Sequence, residues 1–358
     1  GRLAAHFGLG RVALGRRDYA RAVEHFEAAL AAAPAALSVH APLASAYRGL
    51  GDTGQAERHA RLAGDADLSP ADPLMDEVRT ALTSVVSYEV LGTRALNRGD
   101  WGAALDAFRK GLALDPAHAA VKQKLGTALY LSGDRTAARH TFEELTRESP
   151  GFARGHFSLG MLLLDDGDAA GAERHLVHAT ERDASYVEAF VSLAEIRRRA
   201  GRLREAVTAY DRALALDPRQ QEAALGRALT LIRLGRHQEA VDRLRQARQL
   251  HPTAPWLTLA LARLLAASPD ATVRRGEEAM ALMETLPADD RRLDFGETMA
   301  MAYAEVGRAD EAVAWQRESV ARAERAGRGS QMAPMQARLR LYESGRPSRS
   351  PWSAEELQ

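Results

Sequence analysis

Residues 85–118 read VVSYEVLGTRALNRGDWGAALDAFRKGLALDPAH, and residues 119–152 read AAVKQKLGTALYLSGDRTAARHTFEELTRESPGF. Laid over one another, the two stretches share Leu91-Gly92 with Leu125-Gly126, Gly99-Asp100 with Gly133-Asp134, Ala104 with Ala138, Phe108 with Phe142, and Pro116 with Pro150. Each holds two segments with apolar residues at i, i+3, i+4 and i+7, the first roughly 13 residues long, and a Gly-Asp turn parts them. That pattern predicts two amphipathic helices folded back on one another. Small residues at the eighth and twentieth positions allow close helix approach, the large residue at the twenty-fourth fills the space beside them, and proline at the thirty-second ends the second helix.

The same offsets persist in both directions. Leu159-Gly160, Leu193-Ala194, Ala228 and Ala262 continue the first series, Ala172, Ala206 and Ala240 the second, and Leu176, Tyr210 and Leu244 the third. Pro218 and Pro252 close two further units, with Ala184 in place of proline in the fifth unit that precedes them, and Gly167, Gly201 and Gly235 precede the second helices. Six units begin at 85, 119, 153, 187, 221 and 255 without a slip in register. Two precede them in 3–36 and 37–70, and a last one occupies 293–326.

Two insertions interrupt the period. In 71–84, Asp72-Pro73 is a helix start, and Leu74, Val78, Leu82 and Val85 share one helical face. An extra helix, or an extension of the following one, is expected there. The second insertion, near 268–275, lengthens the turn inside the eighth unit, and reads as a surface loop or a contact point. Residues 331–343 are expected to cap the last apolar face. Residues 344–358 are expected to be extended, with Trp352 either docked on the cap or loose.

These residues resemble the tetratricopeptide repeat over about nine-tenths of the chain. The resemblance implies an all-α fold, a right-handed superhelical α-solenoid of helix-turn-helix repeats with a C-terminal capping helix, here of nine hairpins without β-sheet. It also implies that positions 2, 5, 9, 12 and 13 of each unit line a concave face. On this sequence these include Asn97, Tyr130, Phe157, Met161, Leu164, Arg198 and Arg199, with Glu89, Thr93, Gln123, Thr127, Arg154, Glu188, Glu195, Leu225, Leu229 and Ile232. The carboxylate clamp known in the family needs lysines and asparagines. Only Asn97 is of that kind, so a clamp of this type is not expected. The apolar patch of Tyr130, Phe157, Met161 and Leu164 suits adaptable peptide recognition, or is buried against the next unit.

Composition narrows the function. The 358 residues carry 48 Lys+Arg and 48 Asp+Glu, a formal net charge of zero. Such a chain lacks the excess positive charge that non-specific nucleic-acid or anionic-membrane binding requires. No run approaches the roughly 18 apolar residues of a membrane span. Cysteine is absent, which excludes disulfides, thiolate metal sites, a Cys nucleophile and covalent c-type haem attachment. No phosphate-binding, dinucleotide, zincin or hydrolase motif is found. No catalytic residue, metal or cofactor is expected.

Other polar clusters have ordinary readings. His175 and His178 share a helix at i,i+3 but fall on positions that normally face outward. His6, His40 and His156 take the fourth position, where core or half-core packing is expected. Asp165, Asp166 and Asp168 flank Gly167 as a polar turn. Arg197, Arg198, Arg199, Arg202 and Arg204 form either a solvated helix end or a site for an acidic partner segment.

The expected function is a protein-interaction scaffold that takes an extended or helical partner segment on its concave face; the oligomeric state is left open. A second likeness bears on context. Pro73-Leu74-Met75-Asp76-Glu77-Val78, Leu264-Leu265-Ala266-Ala267-Ser268-Pro269-Asp270 and Gly345-Arg346-Pro347 resemble the repeat region of bacterial exported proteins, some of which place a c-type cytochrome-like domain upstream. That likeness implies a periplasmic or exported setting and, as the alternative function, a non-catalytic arm of a larger electron-transfer protein. The first residues lack an initiator Met and begin inside a helical pattern, so a longer parent chain is expected.

Overall fold

The computed structural model describes residues 2–63, 83–286, 293–353 and 356–357. Among these residues there are 19 α-helices and no strand. The expected inserted helix at 71–84 lies, but for its last two residues, outside the described residues. The chain divides into two compact units, Gly1–Val121 and Lys122–Gln358.

The first unit pairs α1 (Arg2–Gly15) with α2 (Tyr19–Ala32), α3 (His40–Leu50) with α4 (Thr53–Leu62), and α5 (Val85–Asn97) with α6 (Trp101–Leu114). Phe7, Ala22, Phe26, Ala29 and Leu43 form a buried cluster in its first two hairpins. Helix α7 (Ala119–Leu131) begins at the division. The second unit continues with α8 (Arg135–Glu148), α9 (Ala153–Asp165), α10 (Ala169–Arg182), α11 (Val187–Arg199), α12 (Leu203–Leu216), α13 (Gln221–Arg233) and α14 (His237–Leu250). It closes with α15 (Pro255–Ala267), α16 (Gly276–Glu284), α17 (Leu293–Glu305), α18 (Ala309–Arg325) and α19 (Gly329–Glu343).

The hairpin turns follow from local chemistry. Gly133 sits at φ 92, a left-handed conformation that closes the three-residue turn, and most other hairpin turns place glycine at the same offset. The first hairpin instead places Arg17 there, at φ 59. Asp134 and Asp168 then cap the second helix, accepting from the backbone N–H groups of Ala137 (3.0 Å) and Gly171 (2.8 Å). Where arginine replaces that aspartate, at Arg202, Arg236 and Arg308, the first helical turn carries Glu205, Glu239 or Glu311. The substituted arginine pairs with that glutamate. The carboxylate is moved rather than lost, so the helix N-terminus keeps its negative partner.

Close approach between the paired helices depends on glycine opposite phenylalanine. A methyl built on Gly126 would lie within 2.8 Å of three atoms of the Phe142 ring, and one on Gly92 within 2.8 Å of three atoms of Phe108. In the unit that carries Leu244 at the twenty-fourth position, alanine occupies the eighth, and both Ala228 and Leu244 are fully buried.

The loop after α15 is packed rather than loose. Asp270 accepts from the N–H (2.9 Å) and hydroxyl (2.7 Å) of Thr272, Arg274 donates to the Ser268 carbonyl (3.0 Å), and Val273 is buried. Helix α19 covers the end of the second unit, with Tyr342 buried and Gln316 of α18 donating to the Met335 carbonyl. The tail docks, but on α15: the guanidinium of Arg263 lies 5.7 Å from the Trp352 ring centre, and the indole packs against the core cluster to which α15 contributes Leu257 and Leu261.

Candidate peptide-binding groove

Helices α7, α9, α11 and α13 are the first helices of successive hairpins in the second unit. Two hollows open along them. One, of about 510 Å³, is lined by Gln123, Tyr130, Phe157, Met161 and Tyr186 among others. The other, of about 800 Å³, is lined mainly by apolar groups, including Met161, Leu164, Val191, Leu225 and Leu229, with Glu195, Arg198 and Tyr210 on its wall. Met161 borders both, so the hollows adjoin.

Six of the seven sequence-predicted residues therefore come together. Tyr130, Phe157 and Met161 line the smaller hollow, and Met161, Leu164, Arg198 and Arg199 the larger. The seventh, Asn97, ends α5 in the first unit. The apolar members are neither fully buried nor freely solvated. Phe157 is half-buried against Tyr186, ring centres 4.9 Å apart, whereas Met161 is 37% exposed. Tyr130 donates to Asp165 and lies 5.2 Å from the Arg135 guanidinium. Arg135 also holds Asp166 at 2.6 Å, so the Asp165–Asp168 cluster is paired and capping.

The basic run is compensated by its own chain. Arg198 is buried and donates to both carboxylate oxygens of Glu195 at 2.9 and 2.7 Å, while Arg199 donates to Glu195 at 2.8 Å. Arg197 donates to Glu173 at 3.1 Å, and Arg202 pairs with the same carboxylate. Burial alone would raise the Glu195 carboxyl, but Arg198, Arg199 and a 3.0 Å hydrogen bond from Tyr210 hold it down at about 2. A solvated helix end does not describe Arg198. Its desolvated pairing escaped the repeat pattern because Glu195, three residues earlier, belongs to the same inner face.

The histidines depart from expectation at one position. His156 is buried as predicted, but His175 is half-buried instead of solvated. Their rings stack at 5.4 Å between centres, with the Nδ1 atoms 3.1 Å apart. The His156 Nε2–H donates to the Pro150 carbonyl at 3.2 Å, which leaves its Nδ1 to accept from His175. Burial pushes the His175 imidazole down to about 4, with the neighbouring His156 adding to the shift. His178 is exposed. The same i,i+19 spacing pairs His40 with His59 at 2.9 Å in the first unit. The signal missed in the sequence is that positions four and twenty-three carry histidine together. Among the described residues no group of three or more His, Cys, Asp or Glu side chains is arranged to hold a metal ion, and no helix is long and apolar enough to cross a membrane.

Family models of the tetratricopeptide repeat match residues 7–73 and 191–255, 95–157 and 231–295, 153–177, and 297–326. No curated protein matches the chain. Among solved structures, MamA is 22% identical at a TM-score of 0.42, over 48% of this chain and 93% of its own. YrrB, described as a TPR protein with an unusual peptide-binding site, is 19% identical at 0.42, over 53% and 98%. A tetratricopeptide repeat protein from Parabacteroides merdae ATCC 43184 is 14% identical at 0.46, over 72% and 98%.

Proposed function

The chain belongs to the tetratricopeptide-repeat family, and on that premise we propose that its second unit is a protein-interaction scaffold that takes an extended or helical peptide segment along α7, α9, α11 and α13. The observation that carries this reading is the continuous apolar surface that Met161 joins across two adjoining hollows. Half-exposed methionine, leucine and phenylalanine give adaptable contact area at low desolvation cost. The flanking arginines are paired with Glu173, Glu195 and Asp165, so the floor favours an apolar segment centre. The role is binding rather than catalysis. The alternative, a non-catalytic arm of a larger exported electron-transfer assembly, would use the same surface, and a chain without cysteine would leave any covalently held haem to another part of that assembly.

The test is selection of peptides from a random display library on the immobilised chain, followed by affinity measurement on Phe157→Ala and Met161→Ala. Each substitution is expected to weaken a selected peptide by about 1 kcal/mol or more, with an unchanged helical melting curve. Affinity loss that follows a lowered melting curve, or no selection at all, refutes the reading.

A further inference from the structure

Two buried arginines of the second unit carry charge that its helices do not fully balance. Arg263 of α15 and Arg338 of α19 are 4% and 7% exposed. From the helices, among the described residues, they share one ion-pair partner, Glu297 of α17, 3.9 Å from Arg263 and 2.6 Å from Arg338. Two buried guanidiniums with one carboxylate leave a positive charge out of water, which is costly. The missing negative charge comes from the tail: Glu356 reaches Arg263 at 3.0 Å and Arg338 at 3.6 Å.

The rest of the tail is seated by equally specific contacts. The Leu357 carbonyl accepts from Arg198 at 2.6 Å and from Arg233 at 3.3 Å. Trp352 lies against Arg263. Ser353 and Glu356 form a reciprocal cap, the Ser353 N–H donating to the Glu356 carboxylate at 2.6 Å and the Glu356 N–H to the Ser353 hydroxyl at 3.2 Å. A Ser-x-x-Glu segment makes that turn from its own sequence, so it is a ligand shape that another chain can present. Glu356 itself stays 37% exposed, which leaves its place open to a competing carboxylate.

We propose that Arg198, Arg233, Arg263 and Arg338 form a recognition site for an acidic peptide turn, occupied at rest by Trp352, Ser353, Glu356 and Leu357, and that an aromatic–Ser-x-x-Glu-aliphatic segment of a partner protein displaces them. The proposal rests on the reading of the second unit as a peptide-binding scaffold, and adds the chemistry of the partner. A tethered occupant competes at an effective concentration in the millimolar range, so the partner is expected to bind weakly until the tail is loosened.

The test uses the full chain and a fluorescein-labelled synthetic peptide with the sequence of residues 347–358, followed by fluorescence anisotropy. The Trp352→Ala/Glu356→Gln double variant is expected to bind the peptide at least ten-fold more tightly than the parent chain. Adding Arg233→Ala, or using the Glu356→Gln form of the peptide, is expected to cancel that gain. Circular dichroism establishes that each variant is folded; if the double variant is not, Glu356→Gln alone is used with the same expectation. A folded tail variant that binds no more tightly than the parent chain overturns the proposal, as does equal binding of the two peptides. Phe157→Ala should not change this binding, so failure here and failure of the groove at Phe157 are separate results.

Discussion

Gly126→Ala tests whether glycine at the eighth position is there for space. The new methyl would lie within 2.8 Å of three Phe142 ring atoms, where carbon atoms normally rest about 3.5–4.0 Å apart. Phe142 is 3% exposed, so the ring or the helix must move by close to 1 Å. Overpacking of this kind costs about 1–3 kcal/mol, and alanine returns about 1 kcal/mol of helix propensity. The expected result is a net destabilisation of about 1 kcal/mol. Phe142→Leu should remove the conflict, because the buried Ala228–Leu244 pair shows that alanine and leucine fit these two positions together. The double variant should therefore be more stable than the sum of the single changes by about 1–2 kcal/mol. Repeat arrays open segment by segment, so the assay is native-state hydrogen exchange at the amides of α7 and α8. A Gly126→Ala chain stabilised by its full propensity gain, or strictly additive energies, would refute the steric reasoning.

Arg17→Gly should stabilise the first hairpin by about 1 kcal/mol, since Arg17 holds a left-handed φ of 59 that glycine adopts without strain, and thermal melting checks it. Asp168→Ala should destabilise α10 by about 1 kcal/mol, read by hydrogen exchange at its first turn, through loss of the 2.8 Å cap to Gly171. For His175 the folded value of about 4 lies below the ordinary 6.5, so the unfolded chain takes up the proton first. Stability should fall as pH drops from about 6.5 to about 4 and level off below, and His175→Gln should flatten the melting-temperature profile in that window. His156, lowered by burial as well, should contribute a slope of the same sign.

The 34-residue period, the helix hairpins and their turns were legible because each is decided within a few residues. Apolar spacing, a left-handed glycine and an aspartate cap act locally, and a strict repeat copies them. Tyr130, Phe157, Met161 and Leu164 were named through the resemblance to the tetratricopeptide repeat, and the structure places them, half-buried or exposed, along two hollows that meet at Met161. Side chains that answer one another across helices were not legible. His175 sits where the pattern faces outward, yet it packs on His156, nineteen residues away, because two neutral imidazoles satisfy each other out of water. The basic run reads in sequence as a solvated helix end or a site for an acidic segment, and only the structure places Glu173 and Glu195 beside it. Nothing in the sequence of Trp352, Ser353, Glu356 and Leu357 announces where these residues rest. What the sequence by itself determined is the hairpin and its repetition, which short-range backbone and packing preferences specify. Only the tertiary structure decided that Glu356 completes the charge of Arg263 and Arg338, because a buried ion pair is selected by which distant groups share the same desolvated space.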